Sequence, residues 1–570
     1  MRQPTTTMRG YEAVNRLLVA AGVETVFQYM AEDTMELFAD MERTHADDLS
    51  VIHTRHEQGA MAMADAYARA GSRIGVCIVG RGPGIAQTGT AMLNARTNGS
   101  RLLVIVPTPA RDDDHDPKDF DQTGYLRSTI GDVLTVRSET TLLDQVTEGL
   151  RRTHLGESPV AVQVPKDILK GSIPDETILD DLPFDASLAT TRPDPPRIEP
   201  DPDKIDAAVD LFLDADAYQP PVILAGTGAA APETREAIET LAERLSAVLL
   251  TTLKNIDAFA DHPFATGFSG SWGDQLSNEF LSEASYVLAI GCSLNDHTVY
   301  DGDLIADDAT VVHVDADPAS IGRFTPVDLG IVGDAHRTVE ALIEAVDRAG
   351  IDREGELWTD DLRKRIADYS ALDWREFPEV DGAVDPRALT RKLETILPGA
   401  RLVGNDGGQF RKWSFHALTA RPEDSIVGCD FAAIGLGVPM GVGLGQYLKD
   451  ERRANGEDRV AITFTGDGGF MMSIQELETA ARHDIPLIVV LGNDSSLGSE
   501  YHYLDVQGDA AEVARIDTPN LADVSAALGT EAHRITALDD LDAIADRLQD
   551  PEGPVVLECV IDHEVRHHSY

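Results

Sequence analysis

The stretch from 460 to 498, VAITFTGDGGFMMSIQELETAARHDIPLIVVLGNDSSLG, constrains the fold of this chain more than any other. Val460 to Phe464 is an uninterrupted apolar run, the mark of a parallel strand buried on both faces. Gly466-Asp467-Gly468-Gly469 follows, Ser473 to Arg482 carries a helical pattern, and Pro486 opens a second apolar run, Leu487 to Leu491, ending in Gly492-Asn493-Asp494. This predicts one βαβ unit, in which ligands sit at the carboxyl ends of the strands. Asp467 and Asn493 both fall at those ends. A carboxylate and an amide oxygen suit a hard cation such as Mg²⁺, which keeps few protein ligands and completes its octahedron with phosphate and water. The glycines beside Asp467 let backbone N–H groups approach a phosphate closely. The stretch therefore points to a metal-bridged diphosphate.

The rest of the chain repeats the alternation of short apolar runs and helical patterns. Strands are predicted at Thr25–Gln28, Ser50–Thr54, Arg73–Val79, Leu102–Val106 and Val160–Val164, with helices between them. The helix after Arg55-His56-Glu57-Gln58 carries small residues on one face (Ala60, Ala64, Ala68), suited to close packing. A Pro- and Asp-rich segment around ATTRPDPPRIEPDPD reads as a linker. Beyond it, further strands end near Gly226-Thr227-Gly228 and at Asp315, and a second linker carries an acidic helix and Asp-Gly. The expected fold is α/β, with three doubly wound parallel-sheet domains. The predicted boundaries are 1–182, a linker 183–203, a central domain 204–350, a linker 351–384 and a third domain 385–570.

Composition excludes several classes. Forty-eight Lys and Arg against 98 Asp and Glu give a formal charge of −50, which argues against nucleic acid, whose phosphates would be repelled. The carboxylates are scattered rather than clustered, as on a solvated acidic surface adapted to high salt, a halophilic pattern. Cys77, Cys292, Cys429 and Cys559 are far apart without CxxC spacing and read as small buried hydrophobes. No signal-peptide core or membrane-length apolar run occurs, so a cytoplasmic chain is expected.

GDGGF followed at this spacing by Asn493 resembles the thiamine diphosphate signature of the acetolactate synthase and pyruvate decarboxylase superfamily. The resemblance implies that Asp467, Asn493 and the Ser495 carbonyl hold Mg²⁺, with Gly466, Gly468 and Gly469 against the diphosphate. Arg55 to Ala70, RHEQGAMAMADAYARA, resembles the family's pyrimidine-domain motif, which gives Glu57 the hydrogen bond to the aminopyrimidine ring and makes it the catalytic candidate. Ala432-Ala433-Ile434-Gly435 resembles the segment that folds the cofactor: Ile434 would wedge it and the Ala432 carbonyl would accept from its amino group. Gly82-Pro83-Gly84 matches the loop bordering the reaction centre, and Gln122 lies near a family Phe-Gln position. Asn405-Asp406-Gly407-Gly408-Gln409 falls where family members place diphosphate contacts. In some members the central domain carries a non-redox FAD and in others no ligand, so FAD stays open, Gly226 and Gly228 being half of a dinucleotide fingerprint.

The reaction implied is decarboxylation of a 2-oxoacid with carboligation, acetolactate synthase-like and using pyruvate; a non-ligating decarboxylase or another lyase is the alternative. Ser499 and Tyr503 depart from the synthases' usual Met and Trp. Glu500 and His502 are either pocket acid–base groups or solvent-exposed side chains. In the family the Glu57 and Asp467 motifs meet across a subunit interface, which implies a homodimer or homotetramer. An acetolactate synthase likeness also admits a regulatory small subunit. An oxidoreductase would need a complete GxGxxG, which is lacking, and a non-catalytic homologue would not need Glu57, Asp467 and Asn493 together. His563-Glu564-Val565-Arg566-His567 matches a zinc-protease pattern, but at the chain end it reads as a polar tail.

Overall fold

The structure is a computed structural model. It describes residues 7–113, 115–156, 158–174, 189–190, 197–215, 219–353, 355–373, 375–377, 381–428, 431–456 and 458–570. Most of the first predicted linker, together with Cys429, lies outside them. The chain divides into two compact units, one of Met1–Asp194, Val380–Arg411 and Ile426–His563, the other of Pro195–Glu379, Lys412–Ser425 and Glu564–Tyr570.

The first unit holds two six-stranded sheets. The N-terminal one runs Ser50–His53, Thr25–Tyr29, Gly75–Val79, Leu102–Thr108, Val160–Pro165, Asp132–Thr135, parallel throughout. The C-terminal one runs Ser425–Val427, Arg401–Asn405, Val460–Gly466, Leu487–Asn493, Pro554–Val560, Glu531–Ile535, its last five strands parallel. The second unit holds a third six-stranded parallel sheet, Ala265–Phe268, Val248–Thr251, Val222–Ala225, Tyr286–Ile290, Thr310–Asp315, Leu329–Val332. Three parallel sheets flanked by helices are the α/β architecture that the alternation implied. Every residue of Leu487–Asn493 is buried, which is why its sequence is apolar rather than alternating.

Sequence pattern overlooks strands that lack such a run. Asp132–Thr135 and Glu531–Ile535 lie at sheet edges and are only partly buried. Pro554–Val560 is interior, but Glu558 interrupts its apolar run. The expected helix Ser473–Arg482 also differs. One helix begins at once with Asp467 and runs to Ser473, and a second follows at Glu476–Arg482. An acidic residue in the first turn favours this early start.

Two helices fix the interior of the first unit: α1 (Glu57–Arg69) and α2 (Gly437–Asn455). Gly443 lets them touch, since a Cβ there would run into the Met63 carbonyl. The small face of α1 also works against its own sheet, where a Cβ on Gly75 would run into the Ala64 carbonyl. The pair is fastened by Asp450 of α2, buried, which accepts from Tyr67 Oη at 2.8 Å and Thr25 Oγ1 at 2.7 Å. Cys77, Cys292 and Cys559 are buried and unbridged, as expected. Among the described residues no helix is long and apolar enough to cross a membrane.

Because α1 and α2 meet backbone to backbone, Gly443→Leu is expected to destabilise the first unit by about 2 kcal/mol or more. Denaturant unfolding at high salt measures this; unchanged stability would show that the contact is not tight.

Candidate active site

Register brings the metal-type residues together. Gly466 pairs with Gly492 across adjacent strands, so Asp467 and Asn493 emerge side by side at the carboxyl edge. Gly492 is a glycine because the Phe410 ring lies where its side chain would be. Asp467 is buried, and its Oδ1 accepts from the Gly468 N–H at 2.9 Å. Its Oδ2 is also buried and has no hydrogen-bond partner among the described residues. Burial first, and the neighbouring Asp494 charge second, push the Asp467 carboxyl up to about 7. Asp494, half-buried and raised by desolvation, is braced by Ser496 through its N–H at 2.9 Å and Oγ at 2.8 Å.

Asn493 is aimed by a residue that the sequence reading passed over. Its Nδ2 donates to Glu558 Oε1 at 2.7 Å, which turns Oδ1 toward the loop. There Oδ1 accepts from the Ser495 N–H at 3.1 Å and Thr518 Oγ1 at 3.1 Å. Glu558 is fully buried and also accepts from the Ala522 N–H and from Arg534. Ser495 takes a left-handed backbone, φ 52°, a conformation costly for a non-glycine residue and held only where surroundings impose it. Its carbonyl accepts from the Ile516 N–H at 2.8 Å, and a carbonyl has a second lone pair to offer.

The Ile434 loop is set by Asp406. This carboxylate is fully buried and accepts from the N–H groups of Gly407 (2.8 Å), Gly435 (3.2 Å) and Leu436 (3.2 Å) and from Thr465 Oγ1 (2.9 Å). Desolvation raises its pKa against the pull of those bonds. Gly407 is compelled, since a Cβ would stand 2.7 Å from Ile434 Cγ2. Gly469 is compelled too, at 2.5 Å from Asp406 Oδ2. Gly466 differs, with nothing within 4 Å of an added Cβ. Ala432, exposed, shares the left-handed backbone at φ 56°.

Glu57 begins α1 in a different set of neighbours. It is buried, and Gln87 Nε2 donates to its Oε2 at 3.2 Å. Gly84 lies alongside, where a Cβ would stand 3.5 Å from Glu57 Oε1. The segment before it is held by Glu476, whose two carboxylate oxygens each lie 3.2 Å from the Arg55 N–H. Burial pushes the Glu476 carboxyl up to about 7. Gly82 has φ 63° and donates its N–H to Gln122 Oε1. Gln122 is buried and spends its Nε2 on Pro107 O and Gln163 Oε1, so it braces the loop. On the helix Gly498–Gln507, Glu500 is exposed and His502 is buried.

Comparison with known proteins gives these groups a setting. Three family models match, described as the N-terminal TPP binding domain, the central domain and the C-terminal TPP binding domain of thiamine pyrophosphate enzymes, over residues 8–132, 205–342 and 406–559. The chain belongs to the thiamine pyrophosphate enzyme family. It is a thiamine diphosphate-dependent enzyme of acetolactate synthase-like type. It is 28% identical to the probable acetolactate synthase large subunit of Methanocaldococcus jannaschii, over 97% of this chain and 92% of that protein. It is 27% identical to the acetolactate synthase isozyme 2 large subunit of Escherichia coli, over 97% and 96%. A probable 2-ketoarginine decarboxylase of Pseudomonas aeruginosa is 29% identical over 87% of this chain and 84% of that protein.

The Asp467 environment makes a pH prediction for the metal- and cofactor-free protein. A carboxyl raised from 3.8 to about 7 costs nothing while protonated, and its cost grows as pH rises from about 4 through about 7. Asp467→Asn should therefore melt like the parent near pH 4 and a few degrees higher near pH 8, on the order of 2 kcal/mol. Equal melting temperatures at both pH values would contradict the assignment.

Proposed function

We propose that the protein catalyses thiamine diphosphate- and Mg²⁺-dependent decarboxylation of a 2-oxoacid with carboligation, pyruvate giving acetolactate. The observation that carries the metal reading is the buried Oδ2 of Asp467, without a hydrogen-bond partner among the described residues, beside Asn493. A buried carboxylate oxygen without a partner is costly, and a hard cation there would satisfy it. Asp467, Asn493 Oδ1 and the Ser495 carbonyl would hold Mg²⁺, with Glu558 keeping the amide oriented. The open space at Gly466 and the N–H groups of Gly468 and Gly469 would face the diphosphate.

When bound, thiamine diphosphate supplies a carbon nucleophile and an electron sink for the 2-oxoacid. The chain's residues orient it and handle protons. Glu57 would hold a proton against the aminopyrimidine ring, the Ala432 carbonyl would accept from the amino group, and Ile434, seated on Gly407, would prop the fold of the cofactor. Gly82 and Gly84 would border the substrate, and His502 lines the helix that follows the metal loop.

The active unit proposed is a homodimer or homotetramer in which Glu57 of one protomer serves the Asp467 loop of the next. Exposed apolar side chains support this: Met471 and Met472 follow Asp467, Phe431 precedes Ala432, and Met30 lies at the carboxyl edge of the first sheet. The large-subunit names of the relatives support a regulatory small subunit, and the charge of −50 supports a requirement for molar salt. FAD in the central domain is a separate question. Gly226 and Gly228 are accounted for by close packing on Gly291, and flavin absorbance of the purified protein decides it. A non-ligating decarboxylase is the second reading, favoured by the 2-ketoarginine decarboxylase likeness.

Turnover in molar KCl with and without thiamine diphosphate and Mg²⁺ tests the proposal, with acetolactate, aldehyde and CO₂ all measured. Acetolactate from pyruvate is expected; aldehyde alone would move the protein to the second reading, and no cofactor-dependent CO₂ from any 2-oxoacid would end both. Glu57→Gln is expected to lower kcat by about 10²–10⁴-fold while leaving the fold intact by circular dichroism. Activity close to the parent's would remove Glu57 from the proton path.

A further inference from the structure

The chain end is not the polar tail expected of it. Val565 and His567 are buried, and no helix forms over 563–567. The zinc-protease pattern is thus absent in space, yet His567 has other histidine neighbours. His416, His567 and His568 each offer one ring nitrogen, and these three atoms lie within 4.8 Å of one another. All three belong to the second unit. The His416 and His567 rings stack with centroids 5.1 Å apart, and the His568 ring lies tilted against His567 with centroids 4.0 Å apart.

The hydrogen bonds select which nitrogen faces inward. His416 Nε2 lies 3.0 Å from the Trp272 carbonyl and His568 Nε2 lies 2.7 Å from the Gly273 carbonyl. Both are therefore N–H donors outward, which leaves each Nδ1 with its lone pair. His567 Nδ1 lies 2.9 Å from Ser569 Oγ, with the Ser569 N–H at 3.2 Å. The Ser569 N–H can only donate, so Nδ1 accepts in the metal-free ring and Nε2 carries the proton. Ligation through Nε2 requires that proton to move to Nδ1, where it donates to the Ser569 hydroxyl. The three inward atoms, His416 Nδ1, His567 Nε2 and His568 Nδ1, are all buried without a hydrogen-bond partner among the described residues. The His416 side chain is 1% exposed and His567 is fully buried. An outward N–H on a backbone carbonyl or hydroxyl is how metal-ligating histidines are usually held.

An acid lies beside one of the three. Asp274 Oδ1 lies 3.3 Å from His416 Nδ1. Tetrahedral zinc, with bonds of about 2.0–2.1 Å, sets neighbouring ligand atoms roughly 3.3 Å apart. Asp274 is itself steadied by the Phe268 N–H on Oδ2 at 3.1 Å. The Lys412 ammonium, 2.9 Å from Ser569 Oγ, opposes a cation, and the Asp274 carboxylate offsets it.

We propose that His416, His567 and His568 bind one divalent transition-metal ion of the zinc class, with the Asp274 carboxylate beside the His416 ligand. The three ligands come from two separate segments of the chain, with solvent completing the coordination, and the role proposed is structural. The ion fastens residues 564–570 to residues 412–417, beside the loop at Trp272–Asp274. Nothing in the thiamine diphosphate chemistry requires it.

The test uses the full-length protein, stripped with chelator and then held in high KCl with saturating Mg²⁺ and thiamine diphosphate to occupy the Asp467 loop. Titrated Co²⁺ should give the visible absorption of a four-coordinate site, saturating at one ion per chain and displaced by one equivalent of Zn²⁺. The His416→Gln/His568→Gln variant keeps every surface carboxylate and should bind Zn²⁺ at least about 100-fold more weakly. A six-coordinate Co²⁺ spectrum in the parent, or Zn²⁺ affinity unchanged in the variant, overturns the site. Should the variant not fold, the parent's cobalt spectrum and stoichiometry decide the matter alone.

Discussion

The buried carboxylate of Asp406 is the interaction on which the C-terminal half of the candidate active site depends. It stands at the end of one strand and gathers donors from its own turn, from the Ile434 loop and from the neighbouring strand that leads into Asp467. Removing a carboxylate from water is costly unless several donors converge on it, and here they do. The geometry then dictates sequence nearby: Gly469 must be glycine because Asp406 occupies the space of its side chain, and Gly407 because Ile434 does. Residues that look like a phosphate-binding pattern are thus in part packing residues around one acid.

Other buried acids divide the same labour. Glu558 aims Asn493, Glu476 holds the backbone before Glu57, and Asp450 fastens α2 to Tyr67 and Thr25. Each is satisfied by protein donors. Asp467 differs, because one of its oxygens has no hydrogen-bond partner among the described residues and lies beside the half-buried Asp494 carboxylate. A fold that satisfies the first three and leaves the fourth unsatisfied is what the proposed cation at that point would use. The left-handed Ser495 and Ala432 add local strain on either side, in keeping with sites where a ligand is to be met.

Much of the fold was legible. Apolar runs such as Leu487–Asn493 announce parallel strands because both faces are buried. What escaped lacked that signal: half-buried edge strands such as Glu531–Ile535, and Pro554–Val560 with Glu558 in its middle. The helix start at Asp467 was hidden because two glycines read as a loop, although Gly469 is there to clear Asp406. Of the candidate residues, Asp467 and Asn493 do stand at adjacent strand ends, and Glu57 does open a buried helix. Gln122, near a pocket by pattern alone, is tied up inside the loop.

By itself, the sequence determined the α/β class, the strand-end positions of the chemistry-bearing residues and the family, since these follow from local periodicity and short motifs. Tertiary structure decided what local pattern cannot encode. The buried Glu558 looks in sequence like one of 98 acidic residues. Its role exists only once distant donors converge on it. The histidine cluster makes the same point more sharply. His416 and His567 are separated by most of the C-terminal domain's sequence, and only packing brings their rings to 5.1 Å.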